Sequence, residues 1–233
     1  KYEDGATTSS DAGISAYDTF LREMSSALRD HALVTEPATL PRSPGVSVPE
    51  VTFRGTLEGG RSIEVVAILV DNVRTAGRAF DQRFGELSTL ADLIVYNGHA
   101  GLGANIRALA SKGRWARGQY AIVMMNGCDT YAYVDDALWT AHAEVNPDDP
   151  QGTRYLDIVM NAMPAYFSSM PRATMALIDG LMSVEAPRTY EQIFADVDSS
   201  QVIVVSGEQD NTYTPGGAEE PGVPAWGGLS ESG

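Results

Sequence analysis

Three short, nearly unbroken apolar runs limit the fold of this chain more than any other feature. Residues 62–70 read SIEVVAILV, residues 92–97 read DLIVYN and residues 120–126 read YAIVMMN. Such runs are too continuous for strands with one wet face. They suit strands of a sheet that is covered on both sides. Between them, residues 75–87 and 101–113 have helical spacing, and Gly113 supplies a stop signal. The order strand, helix, strand, helix, strand, with short connections, predicts a mostly parallel sheet with right-handed crossovers. Residues 201–210 (QVIVVSGEQD) read as one more strand.

The flanking segments fill in the organisation. Residues 1–10 are polar and loose. Residues 15–34 form an amphipathic helix with Tyr17, Phe20, Leu21, Met24 and Leu28 on one face, and His31 stands near its carboxyl end, where a cation meets the helix dipole favourably. Residues 36–50 hold four prolines and form a surface connector. Residues 51–56 alternate as a strand and turn at Glu58-Gly59-Gly60 into the run at 62–70. Residues 153–167, 169–184 and 188–198 read as helices, with Pro171 in the first turn of the second. The Gly- and Pro-rich tail carries no regular structure. The expected organisation is therefore a helix and connector over 1–50, an α/β domain over 51–212 and a tail over 213–233.

Composition removes several classes of function. The formal charge is −15 over 233 residues, so no nucleic-acid partner is expected, because phosphate binding needs clustered cations. No run approaches the roughly 20 apolar residues of a membrane-spanning helix. The single cysteine excludes an intramolecular disulfide. His31, His99, His142 and Cys128 share no metal-ligand spacing, and neither a metal nor a cofactor is expected. The compartment stays open. A secreted or periplasmic protein trimmed at its amino terminus is one expectation for a chain that begins at Lys1.

Two of the apolar runs end alike. "VYNGHAGLG" (95–103) closes on Asn-Gly and then His99, and "MMNGCDTY" (124–131) closes on Asn-Gly and then Cys128. In a parallel sheet all strand carboxyl ends lie on one edge, where reactive groups gather. Sequential strands joined by one short helix are usually neighbours, roughly 4.8 Å apart. His99 and Cys128 are therefore expected side by side at that edge. A thiolate is a strong nucleophile, and a neighbouring imidazole can shuttle its proton. Gly98, Gly101 and Gly127 leave backbone amides uncovered, and such amides can hold an oxyanion.

An apolar strand ending in His, a helix, then an apolar strand ending in Cys resembles the caspase-, gingipain- and legumain-like cysteine peptidases. The resemblance covers roughly residues 63–136. It implies an α/β fold with a mostly parallel sheet flanked by helices, a caspase-like three-layer sandwich. It also implies a cysteine endopeptidase with a Cys128–His99 dyad and a thioester acyl-enzyme, acting on a protein or peptide substrate. Cys128 would be the nucleophile and His99 would protonate the leaving amine. The amides of Cys128 and of Ala100 would form the oxyanion hole, with Gly101 and Gly127 keeping the site small. Two positions depart from the family pattern: Ala100 stands where Gly usually follows the histidine, and Gly127 where Ala or Ser usually precedes the cysteine.

Peptidases of this type fix the residue before the cut by charge. Asp71, Asn72 and Arg74 follow the run at 62–70, Asp129 follows the cysteine, and Glu208 and Asp210 follow the last strand. Acidic groups outnumber the one cation, which favours basic substrates. Residues 146–154 (NPDDPQGTR) read as an exposed loop open to cleavage during maturation. Two other readings fit the same residues. One is a non-enzymatic interaction domain on a peptidase-like fold. The other is a phosphate- or nucleotide-binding α/β domain, because "GHAGLGAN" sets glycines before a helix.

Overall fold

The structure, a computed structural model, describes residues 2–3, 5–198 and 201–207. Glu208, Asp210 and the tail over 213–233 lie outside the described residues. The fold is α/β, with two open sheets and helices on their faces. The first sheet is antiparallel and joins β1 (Val34–Glu36), β2 (Glu50–Thr56) and β3 (Ser62–Ile68) in that order. The second joins β4 (Leu93–Asn97), β5 (Ala121–Asn126), β6 (Leu156–Asn161) and β7 (Ile203–Ser206). Its first three strands are parallel, and β7 runs antiparallel to β6.

Alternation along β5 explains the layering. Val123 and Met125 point to one face, where they pack with Ile106 and Leu109 of α3 (Ala104–Lys112) and Leu138 of α4 (Ala137–Val145). Phe80 and Phe84 of α2 (Gly77–Ser88) close the same core. Ile122 and Met124 point to the other face, against Ala173 and Leu177 of α5 (Met170–Met182) and Ile193 of α6 (Tyr190–Phe194). Side chains on a strand alternate between faces, so one apolar run fills two cores at once. Every residue of β5 and β6 is buried.

Helix α1 (Ala12–Ala27) lays Ile14, Tyr17, Leu21 and Met24 on Val51 and Phe53 of the antiparallel sheet. Asp11 starts it by accepting the Ile14 N–H at 2.9 Å. Met175 and Ile178 of α5 join that core, so α5 is shared by both sheets. Each fully buried Leu, Ile or Met here contributes about 1.5–3 kcal/mol.

Three expectations need correction. The run at 62–70 is not a central strand of the parallel sheet. It forms the edge of the antiparallel one, because its partner is the hairpin neighbour β2. Residues 153–167 are not a helix but contain strand β6. Its polar residue Asp157 is buried and accepts the hydroxyls of Tyr120 (2.7 Å) and Tyr190 (2.8 Å), so it breaks the apolar run without leaving the core. His31 lies beyond the end of α1, with Nδ1 3.3 Å from Thr56 O on β2. The 146–154 loop is exposed, as expected, at Pro147, Asp148, Pro150, Gln151 and Arg154, and it is also tied down. Asn146, Asp149 and Gly152 are buried, and the Asp149 carboxylate accepts the N–H groups of Gly152 and Arg154. No helix among the described residues is long and apolar enough to cross a membrane.

Candidate active site

Strands β4 and β5 pair in parallel, with Asn97 directly opposite Asn126. His99 and Cys128 each lie two residues beyond that pair. Their loops touch. Gly98 N–H donates to Asn126 O at 3.1 Å. A Cβ at Gly127 would sit 2.4 Å from Gly98 O and 3.5 Å from the Ala100 nitrogen. Only glycine fits there, and the reason is close approach of two backbones rather than a positive φ. The Gly127 departure from the family pattern thus has a local cause.

Beneath the loops runs a ladder of amides. Asn161 Nδ2 donates to Asn126 Oδ1 at 2.8 Å, and Asn126 Nδ2 donates to Asn97 Oδ1 at 2.8 Å. Asn97 Nδ2 continues to Thr174 Oγ1 on α5 at 3.0 Å, and Asn126 Nδ2 also reaches Met170 O at 3.2 Å. The three asparagines end three adjacent parallel strands. Two were visible in the repeated Asn-Gly. The third, Asn161, was hidden by the helical reading of residues 153–167, though "VMNAMP" (159–164) echoes "MMNG".

Each loop is then shaped by its own contacts. The His99 carbonyl accepts the Tyr96 hydroxyl and Asn105 Nδ2, both at 2.7 Å. Burial holds the Tyr96 phenol well above its ordinary value, and the Asn105 hydrogen bond and the Arg74 guanidinium pull the other way. The side chains of Asn105 and Arg107 lie over Gly101 and Gly103 at the start of α3. Leu102 and Asp129 both have φ of 51°. Left-handed backbone at a non-glycine residue is uncommon and costs of order 1–3 kcal/mol. One such residue sits in the histidine loop, and the other follows the cysteine directly.

The side chains take up distinct positions. Cys128 is partly buried, and its Sγ donates to Ala165 O at 3.4 Å. His99 is exposed. Its ring meets Phe167 edge-on, with centroids 4.9 Å apart, and its Nε2 lies 2.8 Å from Glu3 Oε1. Ala165 and Phe167 belong to one loop between β6 and α5, so that loop touches both members of the pair. No hydrogen bond joins Sγ to the imidazole. Among the described residues, the N–H groups of Cys128, Ala100 and Gly101 have no acceptor.

The remaining candidates divide. Asp71 Oδ1 accepts the Asn72 N–H at 2.7 Å, and Asn72 Oδ1 accepts the Arg74 N–H at 3.1 Å, so both act as local loop caps. Val73 between them is buried in the core that holds Tyr96 and Ala100. Arg74 is exposed. Asp129 is partly buried, with its N–H on Met163 O at 3.3 Å. Exposed apolar side chains rim the edge: Leu102 at 78%, Tyr131 at 58%, Met163 at 49% and Tyr166 at 65%. Sequence reasoning passed over all four. A surface cleft of about 510 Å³ lies at the far end of α3, lined by Arg78, Asp81, Lys112 and Arg114, away from the pair. A comparison with protein-family models, curated proteins and solved structures finds no match to this chain.

Proposed function

We propose that this chain is a cysteine endopeptidase of the caspase-, gingipain- and legumain-like kind, working through Cys128 and His99 on a three-layer α/β scaffold. One observation carries the reading. In-register pairing of β4 and β5 sets a thiol and an imidazole at the same offset beyond two paired asparagines, with their loops in backbone contact.

The chemistry follows from that juxtaposition. The Cys128 sulfur attacks the carbonyl carbon of the scissile bond, and its proton passes to the imidazole. The carbonyl oxygen gains negative charge, and the unpaired N–H groups of Cys128 and Ala100 are donors available to it. The C–N bond then breaks, the imidazole gives its proton to the leaving nitrogen, and a thioester remains. Water attacks the thioester, the C–S bond breaks and the thiol is restored. The apolar rim of Leu102, Tyr131, Met163 and Tyr166 offers contact area to an extended polypeptide.

The test is covalent labelling of the native protein by peptidyl acyloxymethyl ketones that differ in the residue beside the warhead. At least one is expected to label Cys128 stoichiometrically and far faster than it labels free cysteine. Cys128→Ala is expected to abolish labelling and peptide hydrolysis while the thermal midpoint stays put. A thiol that reacts only after unfolding would leave an interaction domain as the better reading.

A further inference from the structure

We propose that Glu3 is the positioning residue for His99, making the working unit Cys128–His99–Glu3 rather than a dyad. This rests on the peptidase reading of Cys128 and His99. The observation is a carboxylate oxygen 2.8 Å from Nε2 of the imidazole, brought there from 96 residues away in the chain.

An ionised carboxylate only accepts hydrogen bonds, so Nε2 carries the proton in this contact. Nδ1 is then the nitrogen left to take the Cys128 proton. Phe167 meets the ring edge-on and limits its rotation. Imidazole orientation and tautomer are thus set from outside the pair, the part that a third group plays in nucleophile–base arrays. When the sulfur bonds to the carbonyl carbon, its proton moves to Nδ1, and the resulting imidazolium lies beside the Glu3 anion. When the C–N bond breaks, the same proton leaves on the amine, and the imidazole is neutral again.

Glu3 is itself held by contacts that serve other ends. Tyr2 N–H donates to Val70 O at 3.0 Å, just past β3. Glu3 N–H donates to Asp11 Oδ2 at 3.2 Å, and Ala6 N–H donates to Glu3 O at 3.0 Å. Asp11 uses its other oxygen to cap α1. One carboxylate therefore starts a 16-residue helix and fixes the residue that meets His99. Tyr2 and Ala6 pack on the core under α1. Both members of the Glu3–His99 pair are largely exposed, with side chains 66% and 47% accessible. Exposed pairs contribute little to folding, so stability does not account for the arrangement. Orientation does.

The test uses the whole chain and the fastest peptidyl acyloxymethyl ketone, with binding (KI) and bond formation (kinact) measured separately. Glu3→Ala is expected to lower kinact on the order of 10- to 100-fold, the cost of a misplaced catalytic group. KI and the thermal midpoint are expected to stay unchanged, and Glu3→Asp to recover part of the loss. Unchanged kinact in Glu3→Ala overturns the inference. So does a rise, which would mean that the segment obstructs the site, and so does a loss confined to KI or the thermal midpoint. Failure of the peptidase reading looks different. There, the wild-type thiol labels no faster than free cysteine, whatever stands at position 3.

Discussion

His99 and His142 are the same side chain in opposite circumstances. His99 lies in a loop at the carboxyl edge of the parallel sheet, exposed, with a carboxylate on one nitrogen and the Phe167 ring at a steep angle to its own. His142 lies on α4, fully buried, with its ring 4.4 Å from that of Trp115 and, among the described residues, no hydrogen-bond partner on either nitrogen. Burial lowers its pKa to about 4, against a small opposing pull from Asp149. It is neutral at ordinary pH and behaves as a core aromatic. The contrast separates two uses of imidazole. One keeps its proton chemistry within reach of solvent, and the other gives that chemistry up to fill space.

Alanine at each position breaks the comparison most sharply. His99→Ala is expected to lower peptide hydrolysis about 10²- to 10⁴-fold, the usual worth of a positioned acid–base group, with the thermal midpoint unchanged. His142→Ala is expected to do the reverse, lowering the midpoint through a cavity and leaving the labelling rate of Cys128 as it was. Steady-state kinetics and thermal melts on both variants check this. Equal effects of the two on activity would dissolve the distinction.

Acid sharpens the same contrast. In the unfolded chain His142 takes up a proton near its ordinary value of 6.5, whereas in the folded protein it does so only near 4. The unfolded state therefore binds more protons between those values, and stability falls as pH drops through that window. The loss is on the order of 3 kcal/mol and levels off below about pH 4. His142→Phe keeps the shape and removes the titration. Denaturant melts from pH 7 to pH 4 are expected to show a flatter profile for that variant than for wild type. A parallel decline in both would assign the acid sensitivity to other groups.

Much of the scaffold was written in the runs of apolar residues. The hairpin of β2 and β3, the unit from β4 through α3 to β5, and helices α1 and α5 all follow from spacing and stop signals. So does the placing of the His99 and Cys128 loops beyond the ends of neighbouring parallel strands. Other features depended on partners distant in the chain. Asp157 makes β6 look interrupted until Tyr120 and Tyr190 are seen to satisfy it. Whether β3 joins the parallel sheet or leaves it is a matter of pairing, which an apolar run does not encode. Glu3 sits in a segment that reads as loose, because the anchors are distant: Val70 is 68 residues from Tyr2, whose N–H it accepts, and His99 is 96 residues from Glu3. The one local hint was Asp11, a cap residue standing before an apolar face. The rim residues Leu102 and Tyr166 gave no pattern, since nothing in periodicity marks an apolar residue for exposure.

The asparagine ladder tests whether a buried polar element serves stability or the proposed site. Asn161 is the informative rung. Its Nδ2 supports Asn126, yet its own Oδ1 is buried without a partner among the described residues. Asn161→Ala leaves Asn126 Oδ1 without its donor, which costs about 1–3 kcal/mol, but it also removes one group that was already unsatisfied. The two terms largely offset, and the expected net loss is about 1 kcal/mol in denaturant melts. The Cys128 loop keeps its other supports. The Asn161 N–H still donates to Thr130 Oγ1, which donates in turn to Met125 O. Gly98 N–H still holds the histidine loop to Asn126 O. Labelling of Cys128 is therefore expected to proceed at the wild-type rate. A tenfold slower kinact with an unchanged melt would move the ladder from the scaffold into the machinery of the site, because amide alignment across the three strand ends would then be what sets the sulfur and the imidazole in register.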